Sequence, residues 1–547
     1  MTSTTPAFLG LDFGTESIRA SIVDASGRQL GVGVAAYAHG QIVPGSAGQQ
    51  RLFPKGLAPD VALQHPGDWI ESMTDGVRKA MASSGLAPNA IGGIGVSFTS
   101  CTMLPALMDA SPLCESLPND PHAWPKLWKH HGATAQTARL NDLASRRAEP
   151  WLDRYGGIVG LEWLFPKILE VVEMSAPAAY RAEVWLEAGD WLVWRLTGRL
   201  VRSTSQAGYK ALWSQDDGFP SIEFLGELHP SLVDVVERKL PGEFVAPGVT
   251  AGELTEDMAK RLGLSPGIPV SAAIIDAHAG VPGSGVGEPG TLVMVMGTSG
   301  CHMLLAEQER HVPGVAGIVR DGILPGFVGY ETGQAAMGDA FDWVRRLAGE
   351  SDFKSLDARA TDIPAGAEGV LCIDWLNGCR TPLMDGSLQG GFVGLGMHHG
   401  AGQVYRATLE GAAMGLRWIV DTLREGGVPV ERFVGTGGLP SSNPLFTRIV
   451  ASVLQAPVQV HASAHGSALG AAILGAMVAG REGGGFDDAH EAIEHMSGKA
   501  SSLGPPSVIE LDPDWANTYQ GVYKRYRALA DEWRRPDSPA RSPRFDA

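Results

Sequence analysis

The first residues of the chain follow a pattern of apolar and polar positions that is typical of a β-hairpin. Residues 8–11 are apolar, residues 14–17 form a polar turn, and residues 18–23 alternate in character. The pattern recurs downstream, where the apolar run 291–296 leads into a Gly-Thr turn and a further apolar strand. Two such hairpins predict two lobes of common design.

Hydrophobic periodicity predicts helices and strands along the rest of the chain. Helices are predicted around 68–81, 161–174, 187–196 and 405–424, and strands at 91–98, 268–275, 291–296 and 431–435. The small apolar residues 468–480 predict a tightly packed core helix, which is too short to span a bilayer.

The glycine cluster at 283–290 is predicted to separate the two lobes. We expect an N-terminal lobe over 1–285 and a C-terminal lobe over 286–530. A frayed tail is expected over 531–547, because its Pro, Ser, Arg and Asp residues leave little to bury.

Composition supports this division and excludes several classes of partner. The 547 residues exceed the size at which a single hydrophobic core keeps growing. The 43 basic and 60 acidic residues give a net charge of −17, which disfavours nucleic acid and anionic membranes as partners. The five cysteines form no Cys-x-x-Cys pair, and no secretion signal precedes the first strand, so we expect a cytoplasmic protein.

The two Gly-Thr turns are candidate phosphate-binding sites. Backbone N–H groups in such turns form a concavity for phosphate oxygens, and glycine permits close approach. The candidates are Gly14 and Thr15 in the first hairpin and Gly297 and Thr298 in the second. Because the chain is acidic, polyphosphate would be held by these amides and a bridging Mg²⁺, with Asp12 as the candidate ligand. Either hairpin alone is also compatible with an ordinary turn.

Two further motifs carry polar groups at the ends of predicted strands. Asp276 follows an apolar strand, so its carboxylate would reach the sheet edge beside the cleft between the lobes, as a general base or as a structural cap. Gly437 and Gly438 leave room for a flat ring, and the Asn443 amide offers both a donor and an acceptor to a heterocycle. An adenine site and a plain strand-to-helix loop both fit this second motif.

This constellation resembles the FGGY carbohydrate kinases over nearly the whole chain except the tail. The resemblance is carried by LGLDFGTESIRA (9–20), QHPGDWIESM (64–73), GIGVSFTSCTMLP (93–105), LWKHH (127–131), AGYKALW (207–213), IDAHAG (275–280), GTSGC (297–301), GYETGQAAMGD (329–339), DWLNGCRTP (374–382) and GGLPSSNP (437–444). Among these strings, the ones expected near the sugar are more specific signatures than the hairpins, which many related proteins share.

The resemblance implies an α/β fold of two actin-like, RNase H-like lobes that close on MgATP and a ketopentose. It implies that Asp276 is the general base and that Asp12 serves Mg²⁺. The remaining implied roles are sugar binding by Lys210, Glu331, Asp276 and the backbone near Phe98, phosphate binding by Gly14, Thr15, Gly297 and Thr298, and adenosine binding by Gly437, Gly438 and Asn443.

Within the family, the sequence is most similar to the members that phosphorylate L-ribulose at its terminal O5 hydroxyl in arabinose breakdown. Kinases for D-ribulose, D-xylulose or a polyol are the alternatives, and a homodimer is left open. Ser97 stands where relatives often carry Asp, which affects the expected positioning of the sugar. An actin-like or chaperone-like ATPase is a rival from another class, but it leaves Lys210, Asp276 and Glu331 unexplained.

Overall fold

Two mixed β-sheets, each flanked by helices, form the framework of the computed structural model, which describes residues 6–461, 466–535 and 538. The strands of the first sheet are, in spatial order, Gln29–Ala36, Ser17–Asp24, Ala7–Phe13, Ile91–Phe98, Pro269–Ser271 and Thr250–Glu253, with Ile274–Ile275 also paired to Ile91–Phe98. The strands of the second are Gly317–Arg320, Val328–Gln334, Gly300–Ala306, Thr291–Met296, Arg432–Thr436, Val458–Val460 and Ser507–Ile509.

The two sheets share one pattern of strand pairing. Ala7–Phe13 runs antiparallel to Ser17–Asp24 and parallel to Ile91–Phe98. In the second sheet, Thr291–Met296 runs antiparallel to Gly300–Ala306 and parallel to Arg432–Thr436. The predicted two-lobed α/β design is therefore confirmed.

Helices cover both sheets. Between residues 100 and 245, helices surround two short strand pairs, Met103–Ala106 with Val184–Glu187 and Val201–Ser203 with Glu243–Val245. The described helices are Ala47–Leu52, Pro66–Ser84, Leu113–Ser116, Thr134–Arg147, Leu164–Met174, Ala176–Arg181, Ala188–Thr197, Thr204–Lys210, Ile222–Leu228, Val235–Lys239, Glu256–Leu262, Asp276–Gly283, Gly338–Leu347, Lys354–Asp362, Ala401–Glu425, Gly438–Ser442, Pro444–Leu454, Gly466–Ala479, Ala489–Met496 and Pro513–Trp533. The last of these extends into the predicted tail, most of which lies outside the described residues. Among the described helices, none combines the length and apolar character that crossing a lipid bilayer requires.

One predicted strand, 268–275, is interrupted in the structure. It forms two short pieces, Pro269–Ser271 and Ile274–Ile275. Between them, the Ala272 amide donates to the Val249 carbonyl at 3.1 Å rather than to the neighbouring strand. The second piece pairs with the end of Ile91–Phe98, so Asp276 begins its helix at the edge of the sheet.

The helix Gly466–Ala479 packs at backbone distance against elements of the N-terminal lobe. A Cβ atom on Gly10, in the strand that carries Asp12, would lie 2.1 Å from the Ala468 carbonyl oxygen. A Cβ atom on Gly470 would lie 1.8 Å from the carbonyl oxygen of Ala279, in the helix that begins at Asp276. Late residues of the chain therefore support the strand and helix that carry Asp12 and Asp276.

We expect Gly470→Ala to lower the free energy of unfolding by about 1–3 kcal/mol, because the new methyl group must displace backbone. Gly521→Ala is the matched control, since Gly521 also lies within a helix but its Cβ position has no neighbour within 4 Å. There the loss of glycine flexibility should stabilise the protein by up to about 1 kcal/mol. Chemical denaturation measures both variants, and equal stabilities would contradict the packing described here.

Candidate functional site

Asp276 is the first residue of the helix Asp276–Gly283, and its carbonyl accepts a hydrogen bond from the Ser467 hydroxyl of the C-terminal lobe at 2.8 Å. Its Oδ1 accepts a hydrogen bond from the Ala277 amide at 2.8 Å. Burial raises the pKa of Asp276 to about 7, and the negative charge of Asp12 adds to the effect. A carboxyl group with this pKa is suited to exchange a proton at neutral pH.

Asp12 lies on the first strand, in register with Ser97 on the parallel strand beside it. The Ser97 hydroxyl donates to Asp12 Oδ1 at 3.0 Å, and Arg19 Nη1 lies 3.4 Å from Asp12 Oδ2. A serine at position 97 therefore orients the Asp12 carboxylate. An aspartate there would place a second negative charge beside it.

Lys210 and Glu331 meet in a buried ion pair that joins the two halves of the chain. Lys210 Nζ lies 2.9 Å from Glu331 Oε1 and 3.0 Å from Oε2, and His278 Nε2 is 3.0 Å from Oε2. Although burial alone would raise the pKa of Glu331, the positive charge of Lys210 lowers it well below its usual range. The pair is therefore ionised.

The first hairpin is held in place by side chains from outside it. The Tyr37 hydroxyl donates to the Gly14 carbonyl at 3.1 Å. Thr15 accepts hydrogen bonds from Gln64 at its carbonyl, 2.8 Å away, and from the Trp128 indole at its Oγ1, 3.1 Å away. These contacts hold the turn in place. The backbone amides of residues 15 and 16 donate no hydrogen bond to any described residue, so they are available to a phosphate.

The second hairpin and the late glycine turn share one cavity of about 340 Å³. Gly297, Thr298, Gly438 and Asn443 all contribute to its wall. Gly437 has a φ of +91°, and a Cβ atom there would lie 2.6 Å from the Met296 carbonyl oxygen. Only glycine permits this approach, which brings the late turn against the hairpin.

The Asn443 amide is already engaged within the protein. Its Oδ1 accepts from the Phe446 amide at 2.9 Å, capping the helix Pro444–Leu454, and its Nδ2 donates to Asp357 and Tyr405 at 3.1 Å each. Both ends of the Asn443 amide therefore already have partners within the protein, and the residue also lines the cavity. Its predicted contact with adenosine stays a prediction.

Phe98 belongs to the hydrophobic core of the N-terminal lobe. Its ring is fully buried and lies 5.2 Å from the Phe13 ring in a stacked arrangement. Its backbone pairs with Phe13 and Ile275 at the end of the strand. The predicted sugar contact concerns the backbone near Phe98 rather than the ring, and it stays a prediction.

Three residues close to the Lys210–Glu331 pair were missed by the sequence analysis as site residues. His278 hydrogen-bonds Glu331, the Trp163 ring lies 5.4 Å from Lys210 Nζ, and Arg380 lines a cavity beside the pair. His278 and Arg380 stand inside strings that carry the family resemblance. Their spacing alone gave no signal, because the fold brings them together from distant segments.

Family models match both lobes. Residues 7–283 match the N-terminal domain of the FGGY family of carbohydrate kinases, and residues 292–479 match its C-terminal domain. The chain belongs to the FGGY family of carbohydrate kinases. It is therefore a sugar kinase, and the family implies the use of ATP.

Similar FGGY proteins cover almost the full length of the chain. A ribulokinase of Geobacillus thermodenitrificans is 41% identical, over 97% of this chain and 95% of its own. A ribulokinase of Mycolicibacterium smegmatis is 38% identical, over 96% of this chain and 93% of its own.

Solved structures of family members share the fold. A xylulose kinase from Rhodospirillum rubrum superposes with a TM-score of 0.77 at 23% identity, over 96% of this chain and 98% of its own. A Plasmodium falciparum glycerol kinase with ADP superposes with a TM-score of 0.75 at 15% identity, over 96% of this chain and 98% of its own. At these identities the likeness concerns the fold alone.

Proposed function

We propose that this FGGY kinase transfers the γ-phosphoryl group of ATP to the terminal O5 hydroxyl of L-ribulose. The observation that carries the chemistry is Asp276, a carboxyl with a pKa of about 7 beside the interlobe cleft and close to the charges of Asp12 and Glu331. The choice of sugar rests on the relatives named ribulokinase at about 40% identity over nearly the whole chain.

In the proposed mechanism Asp276 accepts the proton of the attacking hydroxyl. As the bond from O5 to the γ-phosphorus forms, the bond from that phosphorus to the β-phosphate oxygen breaks, and the hydroxyl proton passes to the carboxylate. Lys210 and Glu331 hold sugar hydroxyls in line for this attack. Backbone amides at Gly14, Thr15, Gly297 and Thr298 receive phosphate oxygens.

Asp12 fits the proposed role of Mg²⁺ ligand. Mg²⁺ bound to a nucleotide takes one or two carboxylates, and its remaining positions are filled by water and phosphate oxygens. The negative charge of Asp12 contributes to the raised pKa of Asp276, so the two carboxyl groups lie close enough to interact. When bound, Mg²⁺ neutralises charge on the β- and γ-phosphate oxygens.

The proposed substrate is tested by a coupled assay of ADP release over L-ribulose, D-ribulose, D-xylulose and several polyols. These sugars differ in one or two hydroxyl configurations, and a misplaced hydroxyl leaves buried polar groups of the site unpaired. We expect the highest kcat/KM for L-ribulose. A clear preference for D-xylulose would contradict the proposed substrate, although not the kinase chemistry.

The raised pKa of Asp276 predicts how the rate depends on pH. The base must be ionised, so kcat/KM for the sugar should be constant well above pH 7. Below pH 7 it should fall by about tenfold per pH unit, because the carboxyl becomes protonated. Initial rates between about pH 5.5 and 8.5 at saturating MgATP provide the measurement. A rate unchanged across the acid half of this range would contradict Asp276 as the base.

A further inference from the structure

A cavity of about 380 Å³ lies between the lobes, beside the Lys210–Glu331 pair. One wall comes from residues 134–163 of the N-terminal half, and the other from residues 377–386 of the C-terminal half. Its volume is in the range of small-ligand sites, and the Trp163 side chain gives it an aromatic wall. A ligand in this cavity would contact both halves of the protein.

The charged groups at this cavity differ in how they are paired. Both Glu331 oxygens accept from Lys210, and Oε2 also lies 3.0 Å from His278 Nε2. In contrast, the Arg380 guanidinium makes no hydrogen bond or ion pair with any residue in the described ranges. A Cβ atom on Gly333 would lie 3.4 Å from Arg380 Nη1, which places the guanidinium against the strand that carries Glu331.

Arg380 is partly exposed, so the cavity beside it gives a ligand access to an arginine that has no side-chain acceptor within the described residues. A ligand that displaces water from a guanidinium must replace the lost hydrogen bonds with its own oxygens. Arginine offers five N–H donors and no acceptor, so its partner must present lone pairs. The negative charges of Glu331 and Glu162 already act on Arg380, so an uncharged ligand rich in oxygen fits better than a free anion.

We propose that Arg380 is a sugar-binding residue that holds the C1 hydroxyl and C2 carbonyl oxygens of the ketose. This assignment rests on the proposed function, in which O5 at the other end of the sugar reacts beside Asp276. Two neighbouring oxygens match the fork of the guanidinium, whereas the Lys210 ammonium has no such fork and keeps only one donor beyond the two that contact Glu331. Arg380 then selects ketoses by the end of the molecule that is not phosphorylated.

The test compares the pentulose that the wild type prefers with its 1-deoxy analogue, in wild type, Arg380→Gln and Arg380→Lys. Arg380→Gln should raise the sugar KM by roughly 10- to 100-fold, since a hydrogen bond from a charged group is lost. The KM for ATP should stay unchanged, and Arg380→Lys should recover part of the sugar affinity. Arg310→Gln removes an exposed arginine from the same lobe and is the matched control.

The 1-deoxy analogue separates direct contact from a structural effect. Wild type should bind it more weakly than the parent sugar, and this penalty should largely disappear in Arg380→Gln. A folded Arg380→Gln protein with an unchanged sugar KM, or with the full 1-deoxy penalty, would overturn the assignment alone. A wild type that phosphorylates none of the pentuloses would overturn the proposed function, and the assignment with it.

Discussion

Asp276→Asn is expected to lower turnover by roughly 10²–10⁴-fold, the usual contribution of a general base. Asparagine keeps the shape of the side chain and its acceptor for the Ala277 amide, but it cannot take up the hydroxyl proton. The KM for MgATP should change little, because the two hairpins are untouched. Steady-state kinetics with both substrates varied gives these constants.

The control for this substitution is Asp257→Asn, an exposed aspartate near the start of the helix Glu256–Leu262. It removes the same charge without approaching the cleft, so turnover should match that of wild type. If purified and folded Asp276→Asn kept near-wild-type turnover, Asp276 would be a structural strand-end carboxylate rather than the base.

Lys210→Met is expected to lower the free energy of unfolding by about 3–5 kcal/mol and to abolish measurable sugar affinity. The loss in stability is large because Glu331 stays buried with its charge and keeps only His278 as a side-chain hydrogen-bond partner within the described chain. The loss in affinity follows because an unpaired Glu331 no longer presents a fixed geometry to the sugar. Denaturant unfolding and sugar titration measure the two effects separately.

The double variant Lys210→Met/Glu331→Gln checks the cause of this destabilisation. Removing the second charge should restore a substantial part of the lost stability but none of the sugar affinity. Lys79→Met is the control, since Lys79 pairs with Asp75 on an exposed helix surface and should change stability by less than about 1 kcal/mol. If the double variant were no more stable than Lys210→Met alone, the result would contradict a buried ion pair in which each charge stabilises the other.

Local sequence patterns were sufficient for the hairpins and the regular helices. The strands 91–98 and 291–296 have the predicted bounds, because alternation and flanking turns are short-range signals. The interruption of the strand at 272–273 was not predictable from local patterns. It depends on a hydrogen bond from the Ala272 amide to the carbonyl of Val249, which immediately precedes the strand Thr250–Glu253. The contacts of the helix Gly466–Ala479 with the first sheet likewise join segments far apart in the chain.

The candidate site was only partly accessible from the sequence. Asp276 and the Gly-Thr turns stood out because they follow strands, where side chains and amides reach a sheet edge. Lys210 and Glu331 are separated by 121 residues, and only the family resemblance pointed to them. Arg380 lies in a string that carries the family resemblance, but nothing singled it out there. Its importance comes from the absence of a protein acceptor around it in the described structure, which no pattern of residues reveals.

The central claim is that the chain moves a phosphoryl group from ATP to O5 of ribulose, and the position of phosphate in the product tests it most directly. Wild-type protein would be incubated with MgATP and ¹³C-labelled L-ribulose, and the product analysed by ¹³C and ³¹P NMR. We predict phosphorus coupling at C5, with one ADP formed for each sugar phosphate. Phosphorus coupling at C1, or ADP and inorganic phosphate without any sugar phosphate, would contradict the account.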